Sequence, residues 1–139
     1  MKNVLVIAAQ GGGIGKQIIT AIKAQNIECE IIAVGTNSMA TAAMLKAGAD
    51  IAATGENPVI VACRTADIIV GPVGIVISDS LYGEITPGMA QAIGQCTGKR
   101  ILIPINKCDN IIAGVDRKGN LGNYIDDAIQ IIAELCRVD

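Results

Sequence analysis

The chain contains no histidine, no tryptophan and no phenylalanine, and its only aromatic rings are those of Tyr82 and Tyr124. Without imidazole it lacks the usual general base and the commonest metal ligand. Ser–His and Cys–His nucleophiles and His-containing zinc sites are therefore excluded, and no metal site is expected. With two rings in 139 residues, a bound base has to be held mostly between aliphatic walls. Charge is also scarce: Asp, Glu, Lys and Arg make up 17% of the chain, against roughly 25% in ordinary soluble domains. A small domain with so few charges covers its surface poorly, which predicts self-association into a homo-oligomer. The formal net charge of -2 gives no attraction for nucleic acid or an acidic membrane, and neither is expected as a partner.

None of the five cysteines (Cys29, Cys63, Cys96, Cys108, Cys136) forms a C-x-x-C pair. Their odd number and wide spacing suit reduced thiols and a cytoplasmic location. The apolar start Val4–Ile7 is too short for a signal-peptide core, and the greasy stretch from Val59 to Leu81 is interrupted by Arg64 and Asp67. Neither reads as a targeting or membrane segment.

What is present suits one core. Hydrophobic residues make up 51% of the chain, and its length fits a single domain spanning 1–139. Residues 3–9 form a continuous apolar run, as in a parallel strand covered on both faces. A helix from about Ile14 to Gln25 follows, with Ile14, Ile18, Ile19 and Ile22 on one stripe. Glu30–Val34 reads as the second strand, followed by a helix carrying Met39, Ala43, Met44 and Ala47 and closed by Gly48. A short strand at Ile51–Ala53 precedes a short helix with Pro58 at its first position. Asp67–Val70 is the fourth strand, and Thr86-Pro87 starts a helix to about Gln95. Arg100–Ile105 is the fifth strand, Ile111–Val115 is placed beside it, and a helix from Leu121 to Arg137 ends the pattern. The alternation predicts an α/β fold: a three-layer Rossmann-like sandwich around a mostly parallel sheet of five or six strands.

In such sheets ligands bind at the carboxyl ends of the strands, where strand order reverses; here the reversal is expected between the first and fourth strands. The unusual residues collect at those ends. They are Gln10, Gly11, Gly12 and Gly13, then Gly35, Thr36, Asn37 and Ser38, then Gly71, Pro72 and Gly74, and finally Asn106. Thr54-Gly55-Glu56-Asn57 forms a similar turn. The first turn is the most specific. Its glycines let a backbone approach an anion, the helix beginning at Ile14 and Gly15 presents free N–H groups, and Lys16 adds a point charge. The plainer reading is a tight turn whose glycines serve only helix–strand packing.

The ligand expected here is a phosphate-bearing small molecule, a nucleotide or dinucleotide first of all. Lys16 stands where G-x-G-x-x-G requires its last glycine, and Gln17 replaces the P-loop hydroxyl that holds Mg²⁺. The turn is more similar to that of short-chain dehydrogenases, with Gly13-Ile14-Gly15 matching and Ala9 at the first glycine. No Tyr-x-x-x-Lys pair follows, and no acid ends the second strand to take a ribose hydroxyl. Hydride transfer is not expected. Asn106-Lys107-Cys108-Asp109 resembles the guanine-reading Asn-Lys-x-Asp of GTPases, but lacks that family's Mg²⁺ hydroxyl and Asp-x-x-Gly.

The long segment Gly71–Glu84 is of the kind that folds over a ligand, and its Ile75-Val76-Ile77 equally suits an oligomer contact. Ser78, Asp79, Ser80 and Glu84 are its reactive groups. For a histidine-free enzyme, Asp79 or Glu84 would serve as acid or base and Lys16 or Lys107 as charge stabiliser, with Cys108 a less favoured nucleophile.

The segments QGGGIGKQ, GTNSMATAAMLKAGAD, ATGEN, ADIIVGPVGIVISDSLYGEITPGMA and ILIPINKC together resemble a family of small bacterial proteins, largely from anaerobes, known only as a domain of unknown function. The resemblance runs from the first strand to the fifth. It implies a compact cytosolic protein and brings no activity, substrate or catalytic residue. Three readings stay open: a nucleotide-binding sensor or accessory subunit, a histidine-free enzyme on a phosphate-bearing substrate, or an interaction module with no ligand.

Overall fold

Strand β1 (Asn3–Ala8) carries Val4, Leu5, Val6, Ile7 and Ala8, none more than 2% exposed. Successive strand residues point to opposite faces, so a run apolar throughout needs a helical layer on each side. The computed structural model, which describes residues 1–105, 110–115 and 119–137, supplies both layers. After β1 come α1 (Gly13–Ala24), β2 (Glu30–Gly35), α2 (Ser38–Ala47), β3 (Ile51–Thr54), α3 (Glu56–Cys63) and β4 (Ile68–Pro72). A 3₁₀ turn at Val73–Val76 leads to α4 (Pro87–Gln95), β5 (Lys99–Ile103) and α5 (Leu121–Arg137).

The five strands form one all-parallel sheet in the order β3-β2-β1-β4-β5. Val4, Val6 and Ala8 pack with Ile18, Ile19 and Ile22 of α1, Met44 of α2, and Ile129 and Ile132 of α5. Leu5 and Ile7 pack on the other face with Val59 of α3 and Met89 and Ile93 of α4. This is the expected three-layer Rossmann-like α/β sandwich, with the order reversing between β1 and β4 as placed. No helix among the described residues is long and apolar enough to cross a membrane.

Four expectations change. Residues 111–115 add no sixth strand: they turn, with the Val115 N–H donating to the Ile112 carbonyl at 3.3 Å. Strand β5 starts one residue early and stops at Ile103, before Pro104. Strand β4 runs on through Gly71 and Pro72, which therefore belong to the sheet rather than to the turn after it. Helix α3 starts at Glu56 behind Gly55, so Pro58 is its third residue, a place where a helix has no acceptor to offer an N–H.

Helices α1 and α2 meet closely, and glycine sets the distance. Gly12 has φ 76°, and a Cβ built there would stand 2.8 Å from Ala40 Cα. At Gly15 a Cβ would lie 2.6 Å from Met44 Sδ. Gly11 and Gly13 differ, having negative-φ-tolerant backbones and nothing within 4 Å of where a Cβ would be. Gly12→Ala should therefore lose about 2–4 kcal/mol, and Gly13→Ala should stay within about 1 kcal/mol of the wild type. Urea unfolding of the two variants checks the contrast.

Candidate functional site

Because the sheet order reverses between β1 and β4, the connections leaving those strands diverge to opposite faces and open a crevice above their carboxyl ends. The turn Gln10–Gly13 lies in it. A cavity of about 180 Å³ there is walled by Ala8 to Ile14, Gln17, Pro72, Leu81 and Leu121. That is smaller than the roughly 300–1,000 Å³ of pockets that enclose a whole drug-sized ligand, and it suits one phosphate-sized group. A larger cavity of about 620 Å³ runs along the edge strand β5 and α5, past Arg100, Leu102, Tyr124 and Asp127. It is a groove at the sheet edge, remote from the glycine turn.

The N-terminus of α1 faces the smaller cavity with donors to spare. Asn37 caps α2 by accepting from the Ala40 N–H at 2.9 Å, and Thr86 caps α4 by accepting from Met89 at 3.1 Å. Helix α1 has no side-chain cap. Its first-turn N–H groups at Gly13, Ile14 and Gly15 find no acceptor among the described residues. Such groups, with the helix dipole behind them, favour an anion.

Beside the turn sits Glu84. Its Oε1 accepts from the Gln10 N–H at 2.9 Å, the Thr36 hydroxyl at 2.5 Å and the Asn37 amide at 2.8 Å. The same Asn37 amide also donates to the Gln10 carbonyl at 2.9 Å. One carboxylate oxygen thus joins the exits of β1 and β2 to the segment following β4. Burial pushes the Glu84 carboxyl up, but the hydrogen bonds from Thr36, Gln10 and Asn37 outweigh it and hold the group below the usual glutamate range. A general base working near neutrality needs the opposite shift.

The segment that delivers Glu84 is tightly built. Asp79, Leu81, Tyr82 and Gly83 all have φ between 56° and 81°, the left-handed region that side chains avoid. Hydrogen bonds from the Asp79 N–H to the Ile85 carbonyl at 2.8 Å, and from the Ile85 N–H to that of Ser80 at 3.3 Å, close the loop. Ser80 is buried, and its hydroxyl donates to the Gly74 carbonyl. It ties the loop down and is not presented to a substrate. Leu81 is buried against the cavity, whereas Tyr82 stands 99% exposed.

Of the expected site residues, the structure brings Gln10, Gly11, Gly12, Gly13 and Ile14 together with Pro72 around the cavity, and Thr36 and Asn37 beside it through Glu84. Gly15 is buried against Ala8 and Met44, and Gly35 packs against Thr41, so both serve helix–strand packing. Lys16 is exposed and forms no part of the cavity wall; the polar residues there are Gln10 and Gln17. Ser38 is exposed at the first turn of α2, and Gly71 and Gly74 are buried. Ile75, expected to need a partner subunit, is fully buried within its own chain because the 3₁₀ turn folds it into the core. Asp79 is exposed. Asn106, Lys107, Cys108 and Asp109 lie outside the described residues. The lining residues not expected at the site are Ala8, Ala9, Gln17, Leu81 and Leu121; Gln17 stood out only as a replacement for the P-loop hydroxyl, and the others only as members of a strand, a helix stripe or an apolar loop.

Three of the described thiols are poor nucleophiles. Burial, helped by the neighbouring Cys136, pushes Cys29 up to about 11, and burial with Cys96 does the same to Cys63. Cys136 is also raised, chiefly by burial. Thiols so shifted are protonated at neutral pH.

Residues 3–137 match a family described as a domain of unknown function, DUF3842. No curated protein and no solved structure matches the chain.

The tie at Glu84 should be visible in acid. A carboxyl with a lower pKa in the folded chain stabilises the fold above its unfolded value, and the contribution drains away as pH falls through the folded one. Glu84→Gln keeps a carbonyl oxygen for the three donors but does not titrate. Urea unfolding between about pH 3 and pH 7 should show the wild type losing more stability toward the acid end than the variant. Parallel curves would mean the carboxylate charge contributes nothing to the tie.

Proposed function

We propose that this chain, which belongs to the DUF3842 family, binds the phosphate of a nucleotide or dinucleotide on its first glycine turn, as a sensor or accessory subunit. The observation that carries this reading is the division of labour among the glycines. Gly12 and Gly15 are required by packing, whereas Gly11 and Gly13 line the cavity with open space where side chains would be. Packing alone accounts for the first pair and leaves the second without a purpose. An anion drawn close to the backbone and to the uncapped N–H groups of α1 supplies one. Binding is favoured over catalysis because Glu84 is committed to three donors and shifted away from basicity, and Ser80 is internally bonded.

Self-association and a cytoplasmic setting complete the proposal. Low charge content and the exposed side chains of Met39, Leu45 and Ile51 support the first; thiols free at Cys29, Cys63, Cys96 and Cys136 suit the second. Sedimentation velocity at micromolar concentration should give a species heavier than one chain, and a monomer there would remove the oligomer from the reading.

The site is tested by thermal unfolding against adenine and guanine nucleotides, NAD, NADP, flavin nucleotides and sugar phosphates. A ligand at about one hundred times its Kd adds about 2.7 kcal/mol, a rise of several degrees for a domain of this size. Gly13→Asp places a negative charge in the first turn of α1, which favours the helix by about 0.3–1 kcal/mol and repels phosphate. The variant should fold at least as well as the wild type and show no ligand shift. A shift retained in Gly13→Asp would move the ligand off the glycine turn.

A further inference from the structure

We infer that Glu84 is the ribose-binding group of this site, so that the ligand is a ribonucleotide with a free 2′-hydroxyl. The inference rests on the phosphate reading above and names the class of molecule attached to that phosphate.

The strand-end acid that holds a ribose in dinucleotide-binding sheets normally stands at the end of the second strand. Here that place is held by the neutral Gly35, Thr36 and Asn37. The fold brings a carboxylate to the same place from elsewhere: Glu84 arrives from the segment after β4 and is fixed by Thr36 and Asn37 at the exit of β2. Its two oxygens are not equivalent. Oε1 takes three donors, which exceeds its two lone pairs, while Oε2 takes none among the described residues. Glu84 is partly exposed, and an Oε2 with both lone pairs open is the complement of the two O–H donors of a ribose diol.

The arrangement has directional sense. The Gln10 N–H bonded to Glu84 belongs to the residue immediately before Gly11, so the carboxylate stands on the β2 side of the phosphate cradle. Pro72 and Leu121 wall the cavity on the other side. A sugar ester-linked to a phosphate on the turn and laid toward β2 lies on the side where Glu84 is bonded to Gln10, Thr36 and Asn37. The same charge opposes a phosphate at the 2′ position, which sets a preference as well as a contact. The backbone supports a fixed reader, because the loop holding Glu84 keeps Asp79, Leu81 and Tyr82 in left-handed conformations that only a closed hydrogen-bond frame sustains.

Calorimetric titration of the purified full chain with ADP, 2′-deoxy-ADP, NAD and NADP tests this. ADP should bind about tenfold or more tightly than 2′-deoxy-ADP, the loss expected for one hydrogen bond to a charged group, and NAD should be preferred over NADP. In Glu84→Gln both ratios should shrink toward one, with NADP gaining relative to NAD. Equal binding of ADP and 2′-deoxy-ADP, or of NAD and NADP, to the wild type would overturn the ribose assignment and leave the phosphate site standing. Absence of binding by all four, and by GDP, FMN and a sugar phosphate titrated alongside, would overturn both. The wild-type ratios need no variant, so a poorly folded Glu84→Gln cannot shelter the inference.

Discussion

Five consecutive apolar side chains, Val4 to Ala8, cannot be covered by one layer of helices, and this requirement organises the rest of the chain. With β1 in the middle of the sheet, α1, α2 and α5 must lie on one face and α3 and α4 on the other. Right-handed parallel connections achieve that only if the chain moves outward through β2 and β3, then returns across β1 to β4. The divergence of the connections after β1 and β4 is therefore a consequence of burying β1, and the crevice comes with it. The candidate site lies where the packing problem was solved.

What fills the crevice reflects a chain short of charge and without imidazole. Beside the turn, one backbone N–H, one hydroxyl and one amide are gathered on a single carboxylate oxygen. Neutral donors around one fixed negative charge suit the recognition proposed for this site better than a proton relay, which needs groups poised near neutral pH. The raised thiols elsewhere point the same way.

Much of the fold could be read from the residues because local signals agreed with the tertiary need. The apolar run of β1, the Thr86-Pro87 start of α4 and the stripe of α5 each carried its own physics. The failures came where two weak signals competed. Ile111–Val115 is apolar enough for a strand, yet Gly114 at φ 84° turns it. Pro58 marks a first helical turn without saying which of its residues it is. The glycine turn was legible as a site, but not which glycines serve packing, because that depends on how near α2 comes. Glu84 was visible only as a reactive side chain in a long loop. Its arrival at the exit of β2 spans a separation of 47 positions from Asn37, which no local pattern encodes.

The near absence of rings gives the molecule an optical simplicity. With no tryptophan, its near-ultraviolet emission comes from two tyrosines, Tyr82 and Tyr124. Tyr82 stands in water two positions from Glu84, while Tyr124 is half-buried on α5. The unlabelled protein thus carries one chromophore in water on the loop that bears Glu84 and another in the helical layer, and a single substitution at either tyrosine assigns the signal. Changes in that loop and in the helical layer can be followed in the same cuvette as separate events.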